Sequence, residues 1–493
     1  MKKLVIYILL SLTIHCPVTV YGQSSGREFR GAWMHTVYQS QYARQSAAQN
    51  KHYLCRQLDS LQVAGINAVI FQVRPSADAF YASRHEPWSR FLTGKAGEKP
   101  NPYWDPLRFM VDECHERGME LHAWINPYRV TTSRNERLPE GHIALRHPER
   151  FVKYGGKLYF NPGLPENRRF IADVVADIID NYDVDGIHTD DYFYPYPVKG
   201  ETFDDSEAYR RYGNGMSLGD WRRANVDSLI SELHALVMSH KPWVRFGVSP
   251  FGIWRNKSSD AKGSDTNGLQ NYDDLYADVL LWSRNGWVDY LMPQLYWSLE
   301  NKRASYLTLV DWWGRNARDR HVYIGQDIAV TMKTPDLSPG DDPTQLHHKV
   351  RLTRENPAIQ GNCWWPAYSI SANVGGIADS LAATVQSSPV LPPSYPWISE
   401  KRPRMVKKVS LMTGLDGRKT LTWHAPKSHK KNPDEVTRYA IYSVPAADGA
   451  CVTLIAVVPR PSFVLPAGFS GDVLITSVTR VNNESDPVRV TIK

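Results

Sequence analysis

Residues 166–195 read ENRRFIADVVADIIDNYDVDGIHTDDYFYP. In the first half, Phe170, Ile171, Val174, Val175, Ile178 and Ile179 recur at helical spacing, which predicts a helix over 166–182. The second half runs through a short strand start, Asp185-Gly186-Ile187, into two adjacent acids, Asp190 and Asp191. An aromatic cluster closed by Pro195 follows. A helix feeding a strand in this way is half of a βα repeat. Carboxylates at a strand tip beside flat rings are what glycosidic-bond chemistry needs. An acid protonates the leaving oxygen or meets the oxocarbenium-like carbon, and rings stack on sugar faces. The plainer alternative is that both acids cap the next loop or pair with a surface arginine.

The same alternation extends in both directions. Strands are predicted at 30–37, 66–74, 120–126, 185–190, 244–250, 288–296, 322–328 and 361–367. Helices are predicted at 51–65, 106–118, 166–182, 220–240, 272–285, 304–318, 344–355 and 376–385. Eight strands, each followed by a helix, fit a (β/α)₈ TIM barrel over 23–387 better than a doubly wound sheet. The strands are continuous apolar runs, as in a parallel sheet covered on both faces. Residues 388–396 then form a Pro-rich linker that cannot continue a helix. Beyond it, short alternating runs at 419–423, 439–444, 452–458, 463–465, 473–481 and 488–492 predict a small all-β sandwich over 397–493. Trp423 and Tyr439 in that sandwich look like fibronectin type III core positions.

The ends of the chain and its composition bound the rest. Residues 1–22 read as a secretory signal: Lys2 and Lys3, an apolar stretch over 4–14, then Val20-Tyr21-Gly22 as a small-residue cleavage site. The apolar stretch is too short to span a bilayer, and no long apolar run follows in the mature chain. The expected location is outside the cytoplasm, in the periplasm or cell envelope. Cys16 sits in Thr13-Ile14-His15-Cys16, a poor lipobox, so a soluble exported protein is favoured over a lipid anchor. The other cysteines, Cys55, Cys114, Cys363 and Cys451, are dispersed without metal-ligand spacing and read as free thiols. A net charge of +7 gives a mild bias toward anionic polymers, and no nucleic-acid motif accompanies it. No metal or cofactor is expected: His35, His122 and His188 form no HxH or HExxH pattern.

In a barrel of this kind the active site lies where strands end. The second strand exits through Gln72-Val73-Arg74-Pro75 toward Asp78, and the third through Trp124-Ile125-Asn126-Pro127-Tyr128-Arg129. The fifth leads to Trp254, the sixth exits as Gln294-Leu295-Tyr296-Trp297 and the eighth as Trp364-Trp365. Strand alternation puts His188, Asp190 and Tyr192 in one phase with Gly186, which makes Asp190 the leading catalytic carboxylate. Asp191 reaches the site only if the strand end kinks; otherwise it orients an arginine or caps the loop. A second acid is sought at Asp78 or Asp327. Arg74 and Arg129 can grip a carboxylate in two-pronged fashion or brace loops. Asn126 and Gln294 can donate to and accept from sugar hydroxyls or an acetamido group. Tyr128, Tyr192, Trp254, Tyr296, Trp297 and Trp365 either stack on pyranose faces or pack the core.

Taken together, the motifs Arg30-Gly31-Ala32-Trp33, Phe71-Gln72-Val73-Arg74-Pro75, Asp78-Ala79-Phe80-Tyr81 and 123–129 (AWINPYR) resemble the glycosyl hydrolase-like family 10 proteins. So do 185–192 (DGIHTDDY), 249–255 (SPFGIWR) and 292–297 (MPQLYW). The resemblance spans roughly 28–386 and implies an exported (β/α)₈ glycosidase. It also implies a polysaccharide partner, of the kind offered by peptidoglycan strands stripped of stem peptides. The fourth-strand segment is also similar to the DxxDxDxE strand of family 18 chitinases, with His188 in place of an Asp and Tyr192 in place of the Glu. Substrate-assisted hydrolysis then needs Asp190 or Asp191 as its acid. The rival reading is an inactive barrel that binds glycans without cutting them.

Overall fold

The structure, a computed structural model, describes residues 26–317, 319–337, 343–428, 430–444 and 452–493. The expected signal segment, Cys16 and Cys451 lie outside them. Eight parallel strands close into a barrel, and in ring order they run 1-8-7-6-5-4-3-2. They are Phe29–Met34, Ala68–Arg74, Glu120–Ile125, Gly186–Thr189, Arg245–Val248, Tyr290–Leu291, His321–Asp327 and Gly361–Trp365. Among the described residues no helix is long and apolar enough to cross a membrane.

The fourth strand stops at Thr189, so Asp190 and Asp191 stand on the loop rather than in the ladder. The sixth strand is shorter than the expected 288–296. Pro293 has no N–H to give, and beyond it Gln294 makes only isolated bridges to Phe251 and Gly325. The expected helix at 272–285 splits into Asn271–Asp274 and Val279–Arg284. Tyr276 between them takes a left-handed φ of 56°, which a helix cannot hold, and Asp278 caps the second piece.

The barrel interior is filled with rings. Phe29 stacks on Tyr323 at 4.0 Å, with Tyr290, Trp33 and Trp124 packed around them. Glycine on the strands makes this space. A Cβ on Gly247 would come within 2.0 Å of the Tyr290 ring, and one on Gly186 within 2.4 Å of His122. Larger residues there would force the strands apart.

Two further features depart from the sequence reading. The long third-strand loop folds back as an antiparallel hairpin, Phe151–Tyr154 with Lys157–Phe160. Its turn is Gly155-Gly156, both at positive φ, as a two-residue hairpin turn requires. Tyr154 of the hairpin ties it to the fourth-strand loop, its hydroxyl oxygen accepting from the Val198 N–H at 2.6 Å. The second departure is the Pro-rich segment 388–396, which is no free spacer. Leu391 and Tyr395 are buried, the Glu28 N–H donates to Leu391 O at 3.1 Å, and the Tyr395 and Tyr323 hydroxyls meet at 2.9 Å.

Beyond it, two antiparallel sheets of three and four strands share a small core around Trp423, Tyr439, Ile441 and Ile475. This half closes the N-terminal end of the barrel. Asn482 donates to Glu120, Arg438 lies 3.6 Å from the same carboxylate, and Arg480 pairs with Asp183 at 2.8 Å. A chain ending at Pro392 would leave Glu120 and Arg245 facing water through an open floor. Such a chain is expected to be insoluble, or to melt roughly 10 °C below the full chain, because uncovering a buried polar cluster costs several kcal/mol. Thermal unfolding of both forms checks this; equal melting temperatures would show the barrel to be self-sufficient.

Candidate active site

Asp190 and Asp191 sit at the C-terminal mouth of the barrel, 4 % and 2 % exposed. Each is held by its own set of donors. Gln72 accepts the Thr36 and Val37 N–H groups at 3.0 Å each on its Oε1, so its Nε2 must face Asn126, 2.7 Å away. Asn126 Oδ1 accepts from Gln72 and from Arg129 at 3.0 Å, which leaves its amide nitrogen to donate to Asp190 Oδ2. The orientation of Asn126 is therefore fixed by three neighbours. The Tyr192 N–H reaches Asp190 Oδ1 at 3.3 Å. On Asp191, the Tyr196 hydroxyl donates to Oδ2 and the Gln294 amide to Oδ1 at 3.1 Å.

Both acids reach the mouth, because the strand has ended and alternation no longer applies. Burial pushes the Asp190 carboxyl up to about 7, with the neighbouring Asp191 charge adding to it, while Arg129 and the donors pull the other way. Burial also raises Asp191, opposed by its bonds from Tyr196 and Gln294. Two carboxyls so close and so dry do not both ionise at neutral pH. Asp191, with a side-chain donor on each oxygen, is the better seat for the charge, and Asp190 for the proton.

Rings line the rest of the mouth. Tyr192 is 37 % exposed, stacks on Tyr196 at 5.3 Å and lies under the Arg129 guanidinium at 5.5 Å. Opposite, half-buried Trp365 packs on Trp124 at 6.1 Å and on His35 at 4.7 Å, and Tyr296 meets the edge of Trp33. Trp297 is half-buried against Phe251, its carbonyl held by Lys349 Nζ at 2.8 Å. Burial lowers Lys349 to about 7. Tyr196 and Gln72 are contacts that the sequence reading did not assign; Tyr196 lies beyond Pro195, where the strand phase gives no guidance.

Four expected contacts are placed elsewhere. Arg74 is fully buried and grips Glu86 with two nitrogens, at 2.7 and 2.6 Å, while its third reaches the Asn126 and Pro127 carbonyls. It braces the loop that carries Asn126, and with four of its five N–H groups bonded and its side chain fully buried it presents nothing to a substrate carboxylate. Tyr128 is buried in the main core. Trp254 stacks on Trp312 at 5.7 Å, away from the acids. Asp78 is buried beneath its own loop, accepting from the Ser76 N–H at 2.9 Å, and burial pushes its carboxyl up to about 7. Asp327 does lie at the end of the seventh strand, half-buried, where its Oδ1 caps the next helix through the Val330 N–H at 2.7 Å.

This combination of a closed parallel barrel, a dry acid pair and an aromatic mouth is the architecture of a sugar-cleaving enzyme. The glycosyl hydrolase-like 10 family pattern matches residues 28–336. The chain is 38 % identical over 451 residues to the glycosyl hydrolase YngK of Bacillus subtilis, covering 90 % of this chain and 87 % of that one. It is 40 % identical over 327 residues to the glycosyl hydrolase DigH of Escherichia coli, covering 62 % and 74 %. The chain belongs to the glycosyl hydrolase-like 10 family and is a glycoside hydrolase.

Asp190→Asn is expected to keep the fold and to lower turnover on the order of 10²-fold or more. The proton on the pair is present below pH ~7, so kcat/KM should fall as pH rises through that value and not before. The same raised value sets the sign for stability. The ionised group costs nothing below the ordinary Asp value near ~4 and costs most above ~7, so Asp190→Asn should raise the melting temperature at pH 8 more than at pH 4. Full activity of the variant at pH 6 would remove Asp190 from the chemistry. Arg74→Ala, in contrast, should destabilise the fold by about 3–5 kcal/mol, because Glu86 is left buried and unpaired. Denaturant unfolding measures that loss; a raised KM with unchanged stability would return Arg74 to substrate binding.

Proposed function

We propose that the protein is exported and cleaves O-glycosidic bonds of an amino-sugar polymer, peptidoglycan strands lacking stem peptides being the substrate that fits best. The observation that carries this reading is the buried Asp190–Asp191 pair inside a ring-lined mouth. Asp190 gives its proton to the leaving oxygen, and Asp191 keeps the negative charge that favours an oxocarbenium-like carbon. Of the two expected second acids, Asp78 is turned into the protein and Asp327 is engaged with a helix end. The attacking group then comes from the sugar itself. The oxygen of a 2-acetamido group bonds to the anomeric carbon as the glycosidic C–O bond breaks and Asp190 protonates the departing oxygen. Asp191 accepts the acetamido N–H. Water next adds to the anomeric carbon, giving one proton back to Asp190 and releasing the acetamido oxygen.

Export rests on the signal-like residues 1–22, and the choice of a stripped strand on the bulk at the rim. Tyr192 and Tyr368 stand exposed there, 37 % and 48 %, and a peptide on each lactate would crowd them. Purified protein is incubated with amidase-stripped peptidoglycan, intact wall, chitin oligomers and plant β-glucans, and products are read by mass spectrometry. Cleavage of stripped strands and chitin oligomers is expected, with little release from intact wall or β-glucan. Binding without products would support the inactive, glycan-binding alternative. Rapid digestion of β-glucan, which has no acetamido group, would overturn the substrate-assisted mechanism.

A further inference from the structure

A column of buried polar groups runs through the barrel from floor to mouth. At the floor, Glu120 lies 2.7 Å from Arg245 and accepts from Asn482 Nδ2 at 3.0 Å; all three are fully buried. Above it, Glu120 Oε2 meets His122 Nε2 at 3.2 Å, and His122 Nδ1 meets the Tyr290 hydroxyl at 2.9 Å. The same hydroxyl lies 3.0 Å from His188 Nδ1. His188 Nε2 accepts from Trp33 Nε1–H at 3.2 Å and lies 3.0 Å from Ser249 Oγ. Ser249 is the last inward residue of its strand's phase, after Arg245 and Gly247, and its carbonyl holds Gln294, the residue that donates to Asp191.

The direction of every bond in this column is determined from both ends. Indole N–H only donates, so Trp33 makes His188 Nε2 an acceptor and puts the ring proton on Nδ1. That proton goes to the Tyr290 oxygen, whose own hydrogen goes to His122 Nδ1. His122 then carries its proton on Nε2 and donates to Glu120. The floor demands the same order, since Arg245 holds Glu120 ionised and an ionised carboxylate only accepts. With Nε2 of His188 unable to donate, the Ser249 contact is an O–H donated downward, sharing the ring nitrogen's one lone pair with Trp33 as a three-centre bond.

We infer that the column is a positioning device, set from below by the C-terminal half through Asn482, that presents Ser249 to the mouth as a hydrogen-bond acceptor. Ser249 is only 1 % exposed, so the sugar group that reaches it sits close-packed at the bottom of the mouth and must offer an N–H or O–H. This deepens the glycosidase reading and rests on it for the sugar, though not for the state of the column. The C-terminal half thereby supports turnover through the floor of the barrel.

The test uses the full chain labelled with ¹⁵N-histidine, His188→Gln locating the His188 signals. The wild-type protein should show a protonated Nδ1 and a bare Nε2 on His188 from pH 6 to 8. A protonated Nε2, or a charged ring, overturns the inference. On chitin oligomers, Tyr290→Phe and Asn482→Gly should each lower kcat ~10-fold with KM within ~2-fold, since each leaves a buried partner unsatisfied. Glycine at 482 keeps the left-handed backbone there, φ 66°. Ser249→Ala should lower kcat similarly while leaving the His188 signals unchanged. Wild-type kcat in all three variants also overturns the inference, and a variant that fails to fold leaves the wild-type spectrum to decide. If the wild-type protein cuts no glycan, the glycosidase reading fails, and the spectrum still accepts or rejects the column.

Discussion

Two carboxyl groups adjacent in the chain are kept almost free of water at the mouth of a closed barrel, and the surrounding structure is arranged to make that tolerable. Burying a charge is costly unless donors surround it, and burying two next to each other is costlier still. Asn126, Tyr196 and Gln294 supply the side-chain donors, and each is itself constrained: Asn126 by Gln72 and Arg129, Tyr196 by the rings of Tyr192 and Phe251, Gln294 by the Ser249 carbonyl to which it also donates. What the donors leave uncompensated raises the affinity of the pair for one proton near neutral pH. A proton held there is what cleavage of an unactivated glycosidic bond requires.

The same constraint explains why arginines near the site differ in role. Arg129 lies close enough to lower both acids and covers the Tyr192 ring. Arg74, at the end of the second strand beside the third, is consumed by Glu86 and by the carbonyls of Asn126 and Pro127. It braces the Asn126 loop, which matters because a small rotation of Asn126 would leave Asp190 without its side-chain donor. At the other end of the barrel, Glu120 and Arg245 form a buried ion pair that is closed over by Asn482. Buried polar groups are thus tied down at both ends of the barrel, with aromatic rings packed between them.

Much of this was readable in the sequence because it follows from local period. Helical spacing at 170–179 and apolar strands elsewhere give the βα alternation, and strand ends give Asn126, Asp190, Asp191, Gln294 and Trp365 at one mouth. What local period does not carry is which way a side chain turns once its strand has ended. Asp191 is brought to the mouth because the ladder stops at Thr189, two residues earlier than alternation would need to exclude it. A strand-end arginine reads the same whether it faces a ligand or a glutamate twelve residues on, so Arg74 was not separable from Arg129. Tyr128 and Trp254 are lost to packing for the same reason. The Pro-rich stretch at 388–396 reads as a spacer by composition, yet Leu391 docks on the floor through Glu28 and Tyr395 through Tyr323, both far away in the chain. The hairpin at 151–160 did carry a local signal, Gly155-Gly156 between alternating residues, which the long loop obscured.

The central claim is that Asp190 carries a proton near neutral pH. Difference infrared spectroscopy of the wild-type protein against Asp190→Asn reads it directly, through the C=O stretch of a protonated carboxyl. The account predicts a band present at pH 5 that disappears with a midpoint at about 7 and is absent from the variant. A difference spectrum showing only ionised carboxylate at pH 5 would contradict it.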